Sequence, residues 1–448
     1  MAGLRAHPIT DQALGNTSYL VEVGDGLAIW IDPRRDVDEH VLLADERDLR
    51  IGAVLETHLH ADFVSGSREL AQRGADVIAA FDAGLEFSHH GTEPGERLTF
   101  GACTIDVVAT PGHTPEHVAY LVRDGESQAV FSGGSLIVGG AARTDLTGTE
   151  RTEELARAQY ASLRTLAALP DETVLYPTHG GGSFCSTGPA RSETSTIGDE
   201  RASNALLAIG NEAEFVDALR RGFGSYPRYF LHLRDVNRRG PTPLGSLPPV
   251  AELSPADAQR KIGDGAWLID ARPIDEWASA HARDAVSIEL RDAFASWLGW
   301  VVPFGAPVVL MLEPEQLAGS VRLAHRIGYD AIRGWLSFGS WRDAGLATAS
   351  VDALDPAEAS ARAKDGALLL DVRQAAEFES HHIADAAHLE LGDIIAGETP
   401  AAASVITYCG HGERSATAAS LLERRGIRVA NLRGGSAAWR AAGLRFEP

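Results

Sequence analysis

Cysteine is scarce: Cys103, Cys185 and Cys409 are the three thiols in a chain of 448 residues. Three thiols cannot build a disulfide framework, and a chain this long buries sizeable cores without one. Lysine is scarcer still, with Lys261 and Lys364 the only two among 40 basic residues. That reads as codon bias, not function. Positive charge is short overall, because 62 acidic residues leave a formal net charge of −22. Such a surface repels nucleic-acid backbones and anionic membranes, so neither is an expected partner. Aromatic residues amount to 7% and form no basic, base-stacking stripe. Long apolar runs are missing too: the longest, 300–312, is interrupted by Pro303 and Pro307 and is too short to span a bilayer. The opening MAGLRAHPIT has no apolar secretory core, so a reducing cytoplasm is the expected compartment. In it, an isolated cysteine in the right local setting becomes a candidate nucleophile.

The chain has an ordinary globular balance, with 44% hydrophobic and 23% charged residues. Its length suggests about three domains. The first 240 residues alternate β-rich runs with turns: SYLVEV (18–23), LAIWIDP (27–33), AVLETHLH (53–60), TIDVVAT (104–110) and QAVFSGG (128–134). The stretch 147–169 has helical character. Residues 234–253 carry four prolines and read as a linker, bounded here as 241–251. Beyond it the chain repeats. Asp270-Ala-Arg272, Glu276-Trp277 and His281 return as Asp371-Val-Arg373, Glu377-Phe378 and His382, at a constant spacing of 101 residues. Arg333-Gly334 and Trp341-Arg342 return as Arg433-Gly434 and Trp439-Arg440. Each copy reads strand, acidic helix, strand, helix, strand, which is an α/β unit with a parallel sheet. The copies occupy 252–350 and 351–448, and the fold class is α/β.

The last copy carries a thiol in a telling place. Ser404-Val-Ile-Thr-Tyr408 is β-branched and apolar; Cys409-Gly410-His411-Gly412-Glu413-Arg414-Ser415 and a helical run follow. Backbone N–H groups of such a loop point inward, the helix start adds partial positive charge, and both stabilise an anionic sulfur. Gly410 and Gly412 permit the curl, and Arg414 can clamp it or offset an anion. His411, Glu413 and Ser415 complete the expected substrate-binding loop. Four residues separate Cys409 from Arg414, against five in cysteine phosphatases, and the narrower loop suits a terminal sulfur. A buried structural cysteine before a chance turn is the plain alternative. Glu413 should disfavour a doubly anionic donor such as thiosulfate. An ungapped alignment anchored on Gly328 and Gly426 lays Met311 beneath Cys409 and Gln316 beneath Arg414. The first copy thus lacks a nucleophile and reads as a structural or docking module.

Asp-x-Arg, the acidic helix, the cysteine loop and a closing Arg-Gly-Gly…Trp, in that order over about 252–448, resemble the rhodanese (sulfurtransferase) family. The resemblance implies that Cys409 accepts sulfane sulfur as a persulfide and passes it to a thiol. The implied partner is a low-molecular-weight persulfide or a glutathione-type thiol.

The first 240 residues carry histidines instead. Thr57-His58-Leu59-His60-Ala61-Asp62-Phe63, Pro111-Gly112-His113 and Pro177-Thr178-His179 each follow an apolar strand. Imidazoles and a carboxylate on neighbouring strand ends are what metal ligation requires. The pattern resembles the metallo-β-lactamase fold, an αββα sandwich, over about 10–240. IDPRRDVD (31–38) and ARTDL (142–146) look like the branch containing persulfide dioxygenases, with Arg143 facing the substrate. The whole order resembles bacterial fusions of an iron persulfide dioxygenase with a sulfurtransferase. The family motif is His-x-His-x-Asp-His, and its last position here is Phe63; a later family aspartate maps to Gly134. The resemblance places dioxygenase iron on His58, His113 and the Gly134 position, a triad without its carboxylate.

Two readings of these histidines stay open. Three of them, His58, His60 and His113, with Asp62 and His179 beside them, form a residual site for zinc or iron; or all five are fossil ligands that now serve as hydrogen-bonding groups. On the first reading, Phe63→His with Gly134→Asp should raise metal content. His117 reads as a local hydrogen-bonding residue and His89-His90 as a solvated pair. Cys185 is a candidate second thiol carrying persulfide, or a small packed residue; Cys103 reads as a strand start. The favoured assembly is a metallo-β-lactamase-like domain (1–240), altered in its catalysis, a linker (241–251), a cysteine-less rhodanese-like domain (252–350) and a rhodanese-like domain with Cys409 (351–448). It is expected to act as a cytoplasmic sulfurtransferase, with a homodimer allowed for. A working persulfide dioxygenase fusion and a non-catalytic sulfide-responsive binding protein are the alternatives.

Overall fold

The computed structural model describes residues 4–180, 182–186 and 193–447. It divides into two compact units, Met1–Leu247 with His325–Gly328, and Pro248–Ala324 with Tyr329–Pro448. Among the described residues, no helix is long and apolar enough to cross a membrane.

The first unit is built from strands apolar on both faces. In SYLVEV, Tyr19, Val21 and Val23 face one core while Leu20 joins another; in LAIWI, Ile29 and Ile31 oppose Ala28 and Trp30 in the same way. This period of two puts alternate side chains on opposite sheet faces, so each strand feeds two layers. One six-stranded sheet runs in sequence order from Arg5–Asp11 to His90–Thr92. The other is ordered Ser195–Thr196, Val174–Pro177, Ser127–Gly133, Val118–Asp124, Cys103–Ala109, Arg97–Phe100. Tyr19, Ile31 and Leu55 of the first meet Ile105, Tyr120 and Phe131 of the second in a shared core. Helices cover the outer faces: Leu70 of Ser67–Ala71 packs beside Trp30 and Val54, and Leu163 of Thr152–Ala167 packs with Phe215 and Val130. The layers are helix, sheet, sheet, helix. The strands nearest the sandwich centre end at Leu55, Ala109, Gly133 and Pro177, and the histidine loops leave from these ends.

The Pro-rich stretch 234–253 begins inside a helix, and the linker bound of 241 falls just past its end. Phe230–Arg239 is a helix that stops where Gly240 and Pro241 cannot continue it. Its buried Asn237 donates through Nδ2 to the carbonyls of His60 (2.9 Å) and Phe63 (3.0 Å), which fastens the first histidine loop. Proline content marked the stop of this helix and hid its body.

The second unit holds two parallel sheets. The first copy orders its strands Val286–Ser287, Trp267–Asp270, Val308–Met311, Ile332–Leu336. The second orders them Asp352–Leu354, Arg428–Leu432, Ser404–Tyr408, Leu368–Asp371, Ala387–His388. Register corrects the ungapped alignment by one residue. Asp270 pairs with Met311 and Asp371 with Tyr408, so Met311 is the counterpart of Tyr408 and the buried Leu312 is the counterpart of Cys409. The stretch from strand end to Gly426 is one residue longer than that to Gly328, because a 3₁₀ turn, Pro314–Gln316, stands in place of the glycine loop.

The repeated residues turn out to be structural. Arg272 bonds Asp270 (2.9 and 2.5 Å) and the Ala280 carbonyl, and Arg373 bonds Asp371 (2.9 and 2.5 Å) and the His381 carbonyl. His281 stacks on Trp277 with ring centroids 4.6 Å apart, and His382 on Phe378 at 4.0 Å. Both closing tryptophans, Trp341 and Trp439, donate from Nε1 to a backbone carbonyl at 3.0 Å.

Candidate functional site

Cys409 follows the buried strand Ser404–Tyr408 and precedes the helix Glu413–Glu423. Its Sγ accepts a hydrogen bond from the Gly412 N–H at 3.1 Å. Gly412 has φ +117°, a conformation that needs glycine, so the loop's tight curl rests on it. The loop is fastened from behind. Ser436 N–H donates to the Cys409 carbonyl at 2.7 Å and Ala437 N–H to that of Gly410 at 3.1 Å. A Cβ on Gly435 would lie 2.3 Å from the Cys409 oxygen, so the Arg-Gly-Gly element ends in glycine because backbone passes against backbone there. Ser415, expected to face a substrate, is buried and donates to the Gly412 carbonyl at 3.0 Å. Gly410 is half-buried and His411 is exposed at the loop's tip.

Arg414 clamps the loop through a residue that the sequence left without a role. Its Nη1 and Nη2 donate to Glu377 Oε2 and Oε1 at 2.6 and 2.8 Å, a bidentate pair across to the acidic helix Ala375–Ser380. Burial alone would raise the Glu377 carboxyl and lower the Arg414 guanidinium, but their mutual hydrogen bonds outweigh it and move both the other way. The available signal was asymmetry between the copies: Glu276, the counterpart of Glu377, is exposed and faces no cysteine loop. Glu413 lies 3.1 Å from Arg291, whose charge offsets it. The expected bias against a dianionic donor therefore loses its main local cause.

A pH dependence follows from this pair. Because Glu377 titrates lower in the folded chain, its contribution is full above the ordinary carboxylate range and is lost as pH falls through the lowered value. Glu377 is 38% exposed, so solvent screening limits the pair to roughly 1 kcal/mol. The urea midpoint of Glu377→Gln should lie below that of the parent at neutral pH, with the gap closing in acid.

In the first unit, the three loops bring the histidines together under deep burial. His58, His60, Asp62, His113 and His179 are all at most 3% exposed. Ring centroids of His58, His113 and His179 lie 4.8, 5.1 and 5.2 Å apart, pairwise. Burial, then neighbouring imidazoles, push His58 far below its ordinary value, and burial with His179 does the same to His113. His60 departs from expectation. Its Nε2 lies 3.2 Å from both Asp32 Oδ1 and Glu56 Oε2. Burial would lower its pKa, but these two carboxylates raise it to about 10. Phe63 stacks on its ring at 4.2 Å.

Neither Asp32 nor Glu56 was singled out in the sequence. Asp32 adopts φ +50°, uncommon for a non-glycine residue, and accepts from Thr57 N (2.8 Å), Thr57 Oγ1 (2.7 Å) and Thr178 Oγ1. His117 is local, as expected: it meets Thr110 Oγ1 through Nδ1 at 2.8 Å and accepts from Gly134 N–H at 3.0 Å. His90 contacts the Glu96 carboxylate at 2.8 Å and His89 the Phe87 carbonyl, both away from the cluster.

Two further expectations change. Arg143 does not reach into the cluster: it is bidentate to Asp145 (2.6 and 2.8 Å) and lies over the Tyr226 ring, while its carbonyl meets His113 Nδ1 at 2.7 Å. Cys185 is fully buried, and burial pushes its thiol well above the ordinary value, the opposite of what a sulfur carrier needs.

The family description "Metallo-beta-lactamase superfamily" matches residues 12–179, and "Rhodanese-like domain" matches 355–442. A protein described as "Probable metallo-hydrolase" from Burkholderia pseudomallei (strain 1710b) is 32% identical over 248 residues, 46% of this chain and 82% of that protein. This chain belongs to the metallo-β-lactamase superfamily. The mitochondrial persulfide dioxygenase of Homo sapiens is 30% identical over 194 residues, 42% of this chain and 69% of that enzyme. A solved metallo-beta-lactamase from Staphylococcus aureus subsp. aureus COL superposes with a TM-score of 0.69 at 27% identity, covering 75% of this chain and 99% of that one.

The superfamily's name implies a metal, and the residues here fit one. Three overlapping triads, His58–His113–His179, Asp32–His58–His60 and His60–Asp62–His179, each hold ligand atoms within 4.8 Å of one another. Buried His113 Nε2 and Asp62 Oδ1 have no hydrogen-bond partner among the described residues, and a cation would satisfy both. A donor set of imidazoles with a carboxylate suits zinc or iron.

Proposed function

We propose that the chain is a rhodanese-type sulfurtransferase that moves sulfane sulfur through a persulfide on Cys409. The observation that carries this reading is the seat of Cys409: Sγ receives the Gly412 N–H at the start of a helix, on a loop held by Arg414. The Cys409 thiolate attacks the outer sulfur of a low-molecular-weight persulfide, and the donor's S–S bond breaks to release its thiol. An acceptor thiolate then attacks the outer sulfur of the Cys409 persulfide, which returns the Cys409 thiolate and yields a new persulfide. One S–S bond forms as another breaks in each half, so no outside oxidant is needed. Gly412 N–H and Arg414 stabilise the anionic sulfur in both halves. A reducing cytoplasm fits a thiol that must be free at the start of every turnover.

Similarity to a persulfide dioxygenase favours a second reading, in which the first unit oxidises the same class of persulfide with bound iron. Iron held on the histidine cluster would supply oxygen activation. Against it, Gly134 stands where the resemblance expects a carboxylate, and the first unit then serves delivery or docking rather than oxidation. One sample separates the two. Sulfur transfer to a thiol acceptor and oxygen uptake should be measured together with glutathione persulfide. Transfer to the acceptor without oxygen consumption supports the proposal; oxygen uptake in proportion to bound iron with no transfer to the acceptor overturns it in favour of the second reading.

A further inference from the structure

We propose that Arg291, a side chain of the cysteine-less copy, is a specificity-determining residue of the Cys409 site: by cancelling the charge of Glu413 it sets how negative a sulfur donor the loop accepts. The inference rests on the sulfur-transfer proposal and begins with the helix Glu413–Glu423. Strand Val286–Ser287 is an edge of the first copy's sheet, and an edge leaves backbone groups to be satisfied. The helix satisfies them with side chains. Thr417 Oγ1 donates to the Ser287 carbonyl at 2.7 Å, and the Ser287 N–H donates to Ser420 Oγ at 3.2 Å. One helical turn further, His281 Nε2 lies 2.8 Å from Glu423 Oε2. At the other end of the helix, Arg291 Nη1 meets Glu413 Oε1 at 3.1 Å. Arg433 Nε, in the Arg-Gly-Gly turn behind the loop, donates to Asp275 Oδ1 at 3.0 Å. The cysteine-less copy therefore holds the helix that opens at Cys409 and brings a cation to its first residue.

The place of Glu413 makes that cation matter. Gly412, its neighbour, gives its N–H to Cys409 Sγ, so an unmatched carboxylate at 413 would oppose the negative charge that collects on sulfur during transfer. Glu289, two residues before Arg291, adds a second acid. Burial raises the Glu289 carboxyl, Arg291 pulls it back, and Glu413 and Asp275 push it further up. One guanidinium thus stands against two carboxylates in a chain of net charge −22. Arg291 is 37% exposed and Glu413 25%, so both are reached from solvent. The copies differ at this point. Ser287 pairs with Asp270 and His388 with Asp371, which makes Gly392 the counterpart of Arg291. A Cβ on Gly392 would lie 3.4 Å from the Trp300 ring, so that position is filled by packing, and the arginine stands only in the copy that faces the cysteine loop. Thiosulfate, a dianion, is the sharpest probe of the offset. The Cys409 thiolate attacks its outer sulfur, the S–S bond breaks, and sulfite leaves with the electron pair, so no oxidant is needed.

The test is the single-turnover rate of persulfide formation on Cys409 in the full chain, quenched by alkylation and read by peptide mass mapping. Two donors are compared, thiosulfate and 2-hydroxyethyl persulfide, whose carbon chain carries no charge. Arg291→Ala should lower the ratio of the thiosulfate rate to the persulfide rate by about tenfold or more, and about 0.5 M salt should shrink that fall. Arg291→Lys should keep the ratio within about threefold of the parent's, because one charge and not a bidentate fork makes the offset. Arg291→Ala with Glu413→Gln should regain most of the loss. An equal slowing with both donors in folded Arg291→Ala, or an unchanged ratio, would overturn the assignment and leave Arg291 a tie between the copies. Should Arg291→Ala not fold, Glu413→Gln alone decides: the ratio should rise by about threefold or more, and an unchanged or lower ratio overturns the assignment. A parent that gains no sulfur on Cys409 from either donor overturns the sulfur-transfer proposal and this assignment with it, a result distinct from a parent that transfers and an Arg291→Ala variant whose ratio does not move.

Discussion

Replacing Cys409 by serine should lower the rate of sulfur transfer by about three orders of magnitude or more, with the fold intact. A serine hydroxyl is nearly isosteric and can still accept the Gly412 N–H that Sγ accepts at 3.1 Å, so the loop has little reason to open. What disappears is the only atom that can hold the sulfur in this loop. The other two thiols offer no substitute. Burial raises Cys103 to about 11 and pushes Cys185 well above its ordinary value, so neither presents a thiolate near neutrality. Initial rates with a persulfide donor and a thiol acceptor should fall in Cys409→Ser and stay near the parent's in Cys103→Ala with Cys185→Ala. Equal losses in the two proteins would mean that the sulfur does not reside on Cys409.

The next largest effect is expected from a single methyl group. Gly435→Ala puts Cβ 2.3 Å from the Cys409 oxygen and 2.8 Å from the Gly410 carbonyl carbon, at a residue with φ +57°. A left-handed alanine costs roughly 1–2 kcal/mol, and an overlap with backbone that cannot swing aside costs about 1–3 more. The contact is relieved by moving Cys409, since Ser436 and Ala437 tie this turn to the loop carbonyls. Transfer should drop at least about tenfold and the midpoint of urea unfolding should fall. A variant with full activity would mean that the Arg-Gly-Gly turn does not set the position of the sulfur.

Much of this was legible in the sequence because it was written in local pattern. Alternating apolar runs gave away the strands, the 101-residue spacing gave away the paired copies, and Cys-Gly-His-Gly in front of a helical run marked the loop. What escaped depends on contacts between distant segments. Glu377 meets Arg414 across 37 residues, and Arg291 meets Glu413 from the other copy. Sequence spacing could not tell that His60 turns to Asp32 and Glu56, since His58 and His60 sit two apart in one motif. Asp32 stood in a segment noted for its resemblance alone, and its positive φ is invisible in a string of letters. The same limit explains the slip of one residue at Met311: an ungapped alignment cannot register that one copy exchanged a glycine loop for a 3₁₀ turn.

The central claim is that sulfur rides on Cys409. Its most direct test is peptide mass mapping of the full chain, incubated with glutathione persulfide without acceptor, then alkylated. The account predicts the mass of one added sulfur atom on the peptide containing Cys409, discharged when a thiol acceptor is added, with Cys103 and Cys185 unmodified. Sulfur found on Cys185 instead, or none on any thiol while transfer proceeds, would contradict it.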